Sequence, residues 1–396
     1  MKTLIIALLD KSWPPEHSFV DGMLADVVAG QENIFVRLCV SSGEEKRSGP
    51  RRYKGAACLP VMHPRRGWGR LLNFWVSAWL IWYLSRRERG RGRRVVVFVR
   101  NDPVYLLSAS LFRFFFDKLV FQSSFPHEQF EAGRLKRYIA RLMYKVASRR
   151  VDAVTAVSPA GLKRVRKIFP KALHWAYIPL LSDLSRQGDA CTDAIKINTK
   201  DFSRPVFLYI GTHRPERKLD YVLKAIVQAV SCGAEGRFVF VGASQNQAAD
   251  LAEVPGVSPL LLQKRIIFVE YVSRKKLPEI LCRADVGLSL IPPGPIYVEA
   301  SPTKVPEYMG AGLAVLASKG IPMQEEFVGE SRGGILVDWD IDALADGFMW
   351  FGENRDKMEK MKQYSRKYAE SKLQYSAYLP DFLKLVGSDD RGCRKH

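Results

Sequence analysis

Short apolar runs rich in β-branched residues alternate with stretches of helical period along the whole chain, the pattern of strand–helix units that build parallel sheets. In the first half the runs predict strands at Thr3–Leu9, Ile34–Val40, Val95–Val99, Lys118–Gln122 and Ala153–Val157. Helical periodicity falls around 20–29, 68–86, 103–115, 131–148 and 159–168. In the second half strands are expected at Val206–Ile210, Arg237–Val241, Ile266–Val269, Val286–Ile291 and Ala314–Ala317. Helices follow near 219–231, 275–282, 303–311, 322–328, 341–351 and 355–372. The pattern breaks around 180–203, where polar residues and Gly188 mark a linker. At 396 residues the chain is long for one core. The fold class is therefore α/β, with two successive doubly wound, Rossmann-like domains at 1–185 and 186–372. Residues 373–396 form a closing helix and tail. Ligands in such domains bind at the carboxyl ends of the strands.

One segment carries most of the chemistry. Tyr297–Ser318 reads YVEASPTKVPEYMGAGLAVLAS, with Glu299 and Glu307 eight positions apart. Ser301 or Thr303 is a natural N-cap, and Pro302 and Pro306 are tolerated in a first turn. The free N–H groups of a helix start suit a phosphate or pyrophosphate. With a carboxylate on either side, that anion site matches a nucleotide-sugar, which has hydroxyls at both ends and a pyrophosphate between them.

The spacing of the glutamates, the SPTKVPEYM core and the AGLAVLAS strand resemble the retaining GT-B glycosyltransferases, family 4 in particular. Further matches follow in the same order. Val206–Lys218, VFLYIGTHRPERK, resembles the family's strand–glycine element whose Arg and Lys grip the donor pyrophosphate. Thr212 stands where the Arg is usual and Leu219 where a Gly is usual, so Lys218 is the expected cation and Arg214 or Arg217 a substitute for the missing one. Gly211 and Gly242, each after a strand, permit close backbone approach to a ligand. His127, in KLVFQSSFPHEQ, resembles the histidine that leans over the donor sugar. Ser158 is read as a helix cap and Asp285 as a residue that orients backbone.

The resemblance implies two domains facing a cleft, with a C-terminal helix crossing back to the first. It implies transfer of a sugar from a nucleotide-sugar with retention of configuration and without a metal or cofactor. Glu299 and His127 are the expected catalytic groups. Glu307 is expected on the ribose hydroxyls, and main-chain N–H groups near Ser301, Thr303 and Lys304, with Lys218, on the pyrophosphate. The loop Ser12–Ser18, SWPPEHS, departs from the family's glycine pair and points to a reshaped acceptor pocket.

Charge adds a partner. The net charge is +20, of which residues 1–185 hold 32 basic against 14 acidic side chains and residues 186–396 hold 29 against 27. The first domain therefore faces an anionic partner. Within His63–Arg94 an apolar run containing Trp75, Trp79 and Trp82 is flanked by nine arginines. It fits either a buried helix with a solvated basic loop, or a helix lying in a bilayer surface with arginines on anionic headgroups. A second basic run spans Arg134–Lys167, with Glu131 just before it. No nucleic-acid recognition module is visible, so nucleic acid is not expected as a partner. The six scattered cysteines read as reduced thiols of a cytoplasmic protein, and no segment has the length of a spanning helix. The expected setting is the inner face of a bacterial membrane, with a lipid-linked or anionic glycan acceptor of an envelope or exopolysaccharide pathway. A sugar-nucleotide epimerase of the same fold and a catalytically silent membrane-surface adaptor are the alternatives.

Overall fold

The computed structural model describes residues 1–42, 49–63, 69–130, 133–181, 205–273 and 276–387, with Arg70 by its backbone alone. Glu131, residues 64–68 of the basic aromatic segment, Cys191, Cys393, the end of the tail and all of the expected linker beyond Leu181 lie outside the described residues. The chain divides into two compact units: Met1–Leu180, Glu299–Ser301 and Tyr375–His396 form the first, and Leu181–Val298 and Pro302–Gln374 the second.

The first unit is built on β1 (Thr3–Ser12), β2 (Ile34–Ser41), β3 (Arg51–Tyr53), β4 (Ala56–Met62), β5 (Arg94–Arg100), β6 (Lys118–Ser123), β7 (Ala153–Ala156) and β8 (His174–Tyr177). They lie in the order β3-β4-β2-β1-β5-β6-β7-β8. All neighbours are parallel except the β3–β4 hairpin. Helices α1 (Gly69–Arg89), α2 (Pro103–Leu111), α3 (His127–Phe130), α4 (Arg134–Ala147) and α5 (Pro159–Ile168) connect the strands. Every residue of β5 is buried, which is why it reads as one apolar run. The expected helix at 20–29 is a π-helix, Phe19–Val28. The carbonyl of Asp21 within it accepts from Lys54 Nζ at 3.1 Å, and its carboxylate accepts from the Tyr53 hydroxyl at 2.6 Å.

The second unit contains β9 (Val206–Ile210), β10 (Arg237–Val241), β11 (Ile266–Val269), β12 (Val286–Ser289), β13 (Ala314–Ser318) and β14 (Gly334–Val337). The order is β11-β10-β9-β12-β13-β14, parallel throughout. Its helices are α6 (Leu219–Ser231), α7 (Gln245–Ala252), α8 (Val257–Leu262), α9 (Leu277–Leu281), α10 (Lys304–Gly310), α11 (Pro322–Ser331), α12 (Ile341–Glu353) and α13 (Arg355–Lys372). Phe207 stacks on Phe238 at 4.8 Å, and Phe348 from α12 meets both edge-on. Asp285 is buried and orients backbone as expected, accepting from Val206 N–H at 3.0 Å.

After α13 the chain returns to the first unit through Tyr375–Tyr378 and α14 (Leu379–Val386). Gly22 makes room for the ring of Tyr375, where any Cβ would overlap it. Phe382 packs on Phe98 at 5.7 Å, and Lys118 Nζ donates to Gly387 O at 3.2 Å. Cys39 and Cys58 are buried free thiols, and burial pushes that of Cys58 up to about 12. Cys282 is disulfide-bonded, which corrects the expectation that all six cysteines are reduced. No helix among the described residues is long and apolar enough to cross a membrane.

Candidate functional site

In the second sheet, β9 and β12 are neighbours whose connections leave in opposite directions along the sheet, β10 on one side and β13 on the other. The crevice at such a switch point is where doubly wound sheets bind ligands. The loop after β9 and the segment leading into α10 meet there. Gly211 has φ 154° and Gly242, after β10, φ 110°. A Cβ on Gly242 would overlap the carbonyl oxygen of Gly211, so two bare backbones pack directly against each other. Tyr308 locks α10 to the sheet: its hydroxyl accepts from Ile210 N–H at 3.0 Å, and its ring fills the space that a side chain at Gly287 would take.

Of the expected anion-binding residues, Lys304 and Arg217 lie near this point. A Cβ on Gly211 would lie 2.9 Å from Lys304 Nζ. That ammonium is 3.7 Å from the centre of the Tyr209 ring and is buried without a hydrogen-bond acceptor. Lys218 has left-handed φ and ψ of 48° and 46° and is exposed, as is Arg214, while Arg217 lies over the Tyr297 ring at 5.7 Å. Thr212 points its carbonyl inward to accept from the Tyr209 hydroxyl at 3.0 Å. Burial pushes the Tyr209 hydroxyl up to about 12, against the lowering effect of Arg217. His213, which the sequence reading passed over, is buried with Nδ1 3.0 Å from Gly211 O. A carbonyl only accepts, so Nδ1 carries the proton and the buried lone pair of Nε2 has no partner. Burial lowers the pKa of His213, and nearby Lys304 lowers it further.

The start of α10 differs from expectation. Thr303 occupies the N-cap position, yet its side chain caps nothing. Ser301 is no cap either: its hydroxyl accepts from Leu180 N–H at 2.9 Å. Pro306 is the third helical residue and Glu307 the fourth, within the first turn. The helix has seven residues, so the positive charge here comes from side chains more than from a macrodipole.

Glu299 is placed in the first unit with Ser301. Its Oε2 lies 2.6 Å from Arg164 Nε, on α5. Arg164 also donates to Glu128 Oε1 at 2.5 Å and to Ser123 Oγ at 2.7 Å. Ser158 caps α5 as expected, accepting from Gly161 N–H, and its hydroxyl donates to Glu299 O at 2.9 Å. The other oxygen of Glu128 is buried without a partner. Arg164 and Glu128 were missed because they lie 135 and 171 positions from Glu299, with no local pattern joining them. His127 begins α3, its ring edge-on to Phe125 at 4.9 Å.

At the β1–β5 switch point of the first sheet, buried Arg100 pairs with Asp10 and lies 2.8 Å from His17 Nε2, on the Pro-Pro loop. Asn101, at φ 58°, donates to Asp10 at 3.1 Å and to Ser124 Oγ at 2.7 Å. Trp13 of the same loop lies under Arg51 at 5.0 Å. Elsewhere on this unit, α1 buries Ala78, Ile81 and Leu84 but leaves Trp75 66% and Trp79 55% exposed. Helix α4 buries Ala140, Tyr144 and Ala147 and exposes Leu135, Tyr138, Leu142 and Val146, a stripe flanked by basic residues. Among the described residues no group of three or more His, Cys, Asp or Glu side chains is placed to hold a metal ion.

No curated protein matches the chain by sequence. Residues 192–368 match the family described as glycosyl transferases group 1. Among solved structures, sucrose-phosphate synthase from Thermosynechococcus elongatus is similar over 97% of this chain and 98% of its own, with TM-score 0.69 and 15% identity. The UDP-forming α,α-trehalose-phosphate synthase from Burkholderia xenovorans, in complex with glucose-6-phosphate, is similar over 97% and 100%, with TM-score 0.68 and 12% identity. Anabaena HepE, in complex with UDP and glucose, is similar over 96% and 99%, with TM-score 0.65 and 16% identity. At these identities the likeness establishes the fold. Fold and family match together define a glycosyltransferase of the GT-B class. The match to glycosyl transferases group 1 covers residues 192–368, a little under half of the chain.

Proposed function

We propose that the protein transfers a sugar from a nucleoside-diphosphate donor, with retention of configuration, to an anionic or lipid-linked acceptor. The observation that carries this is the switch point of the second sheet, where the bare backbones of Gly211 and Gly242 pack together beside the loop that carries Arg214, Arg217 and Lys218. A diphosphate fits such a place: backbone approaches closely, and Lys218 with Arg214 and Arg217 supplies charge-assisted contacts worth roughly 1.5–3 kcal/mol each. Glu307 accepts the ribose hydroxyls, and Glu299, oriented by Arg164, accepts hydroxyls of the donor sugar. His127 stands beside Glu128 as a donor toward the sugar or the leaving oxygen. As the acceptor oxygen bonds to the anomeric carbon, the bond to the phosphate oxygen breaks and the acceptor proton passes to that leaving oxygen on the same face. Fixed positive charge stabilises the departing diphosphate, and the reading calls for no metal. The UDP complexes of HepE and the UDP-forming reaction named for the trehalose-phosphate synthase support a nucleotide-sugar donor.

The acceptor reading rests on the first unit. The tryptophans of α1 and the apolar stripe of α4, set among basic side chains, match an anionic bilayer surface, where each basic residue contributes about 1 kcal/mol. A bacterial envelope or exopolysaccharide pathway at the inner face of the membrane is the setting this supports. A thermal-shift panel of UDP-, GDP- and ADP-sugars tests the donor assignment, since a ligand of the folded state raises the melting point. Stabilisation by one of them that Glu307→Ala abolishes is the expected result, and a flat response to all of them overturns the reading.

A further inference from the structure

Lys304 carries an ammonium that nothing in the described structure satisfies. Its Nζ is buried and donates to no acceptor among the described residues. The face of Tyr209 lies 3.7 Å away. A cation–π contact contributes up to about 2 kcal/mol, whereas stripping an ammonium of water costs several. The contact therefore does not account for a charge at this position. The surrounding groups sharpen the imbalance: the charge of Arg217 opposes a second cation, the Tyr209 ring is neutral, and the carboxylate of Glu307 acts in its favour. The end of the Lys304 side chain lies against the bare backbone of Gly211, in the space that a side chain there would take. Next in the chain is Thr212, which brings no charge.

We infer that the Lys304 side chain is the diphosphate's inner cation in this protein, in place of the one Thr212 does not supply, and that donor binding draws a proton onto it. This rests on the donor-site reading above. Burial, and secondarily Arg217, hold the pKa of Lys304 well below the ordinary lysine value, with Glu307 acting in the opposite direction. A diphosphate arriving at Nζ brings two or more negative charges into a site with little water, which raises that pKa again. Binding thus takes up a proton wherever the pH lies between the free and the bound pKa. Affinity falls as pH rises through that window, whereas a permanently charged arginine at 212 would add no pH dependence there.

The test is calorimetric titration of full-length protein at pH 7.5 with UDP, GDP, ADP and inorganic pyrophosphate, each in two buffers of different ionisation enthalpy. The wild type is expected to take up protons on binding at least one of these. Lys304→Met, which keeps the length and apolar character of the stem, is expected to lose that uptake and bind at least tenfold more weakly. Its unliganded form should melt no lower than wild type, because a buried amine without an acceptor has been replaced by an apolar group. Unchanged affinity in Lys304→Met, or undiminished proton uptake, overturns the inference while leaving the donor site in place. If the wild type binds none of the four probes, the donor-site reading falls and this inference with it.

Discussion

Arg164 fixes Glu299: Nε and Oε2 lie 2.6 Å apart, and the remaining nitrogens of the guanidinium are held by Glu128 and Ser123. A three-way grip of this kind sets the direction of the carboxylate, and only a planar fork can make it. Glu299→Ala is expected to cost about 2–4 kcal/mol in transition-state stabilisation, some 30- to 1000-fold in kcat/KM. Arg164→Lys keeps the charge but loses the fork, and should reduce kcat/KM by about tenfold or more with the far-ultraviolet dichroism unchanged. Rates near wild type in both variants remove Glu299 from the reaction.

Gly242→Ala places a methyl group on the Gly211 carbonyl at a backbone angle, φ 110°, that alanine rarely adopts. The expected loss is about 2–4 kcal/mol of stability, from strain and overlap together. The midpoint of urea unfolding should fall, and the diphosphate affinity with it. A variant as stable as wild type would show that the two turns are free to separate.

His213 makes the unliganded protein acid-sensitive. With its pKa lowered by burial, the folded chain holds fewer protons here than the unfolded chain between that pKa and about 6.5. Its stability contribution is complete above about 6.5 and declines as pH falls through the window. The melting temperature is expected to drop from pH 7 toward 5, with a shallower slope in His213→Gln. Equal slopes would assign the acid sensitivity to other groups.

Trp75 and Trp79 are exposed, so Trp75→Ser with Trp79→Ser should leave stability within about 0.5 kcal/mol of wild type. Flotation with vesicles containing phosphatidylglycerol should nonetheless fall severalfold, and further when Leu135→Ser is added. Vesicles of phosphatidylcholine alone should bind little. Negligible flotation of the wild type with both compositions rejects the bilayer surface.

The strands flanking the second switch point were legible because VFLYI, RFVFV and AVLAS are buried on both faces and so read as unbroken apolar runs. Elements that escaped lack that signature. Strand β8, HWAY, is a half-exposed edge, and β14 is four residues long. Strand β4 contains Pro60, which ordinarily argues against a strand; it is tolerated where the register with β2 shifts. Around the second switch point, Gly211 and Gly242 were legible as glycines ending strands, and Lys304 and Glu307 as the start of a helix. Arg164 and Glu128 escaped because tertiary packing alone brings them to Glu299. Ser301 was misread because a serine before a helix is usually its cap, whereas here its hydroxyl satisfies the backbone of Leu180.

The return of Tyr375 and Phe382 to the first unit has a consequence for how the chain is made. Phe19 and Phe98 are buried in the finished protein, partly beneath side chains that a ribosome adds roughly fifteen to sixty seconds after Phe98, at about 5–20 residues per second. The second unit, which runs to Gln374, is synthesised whole before then. The amino-terminal unit is thus begun first and matures last, with an uncovered apolar face in the interval. A chain that stops short of Tyr375 would keep that face open for good.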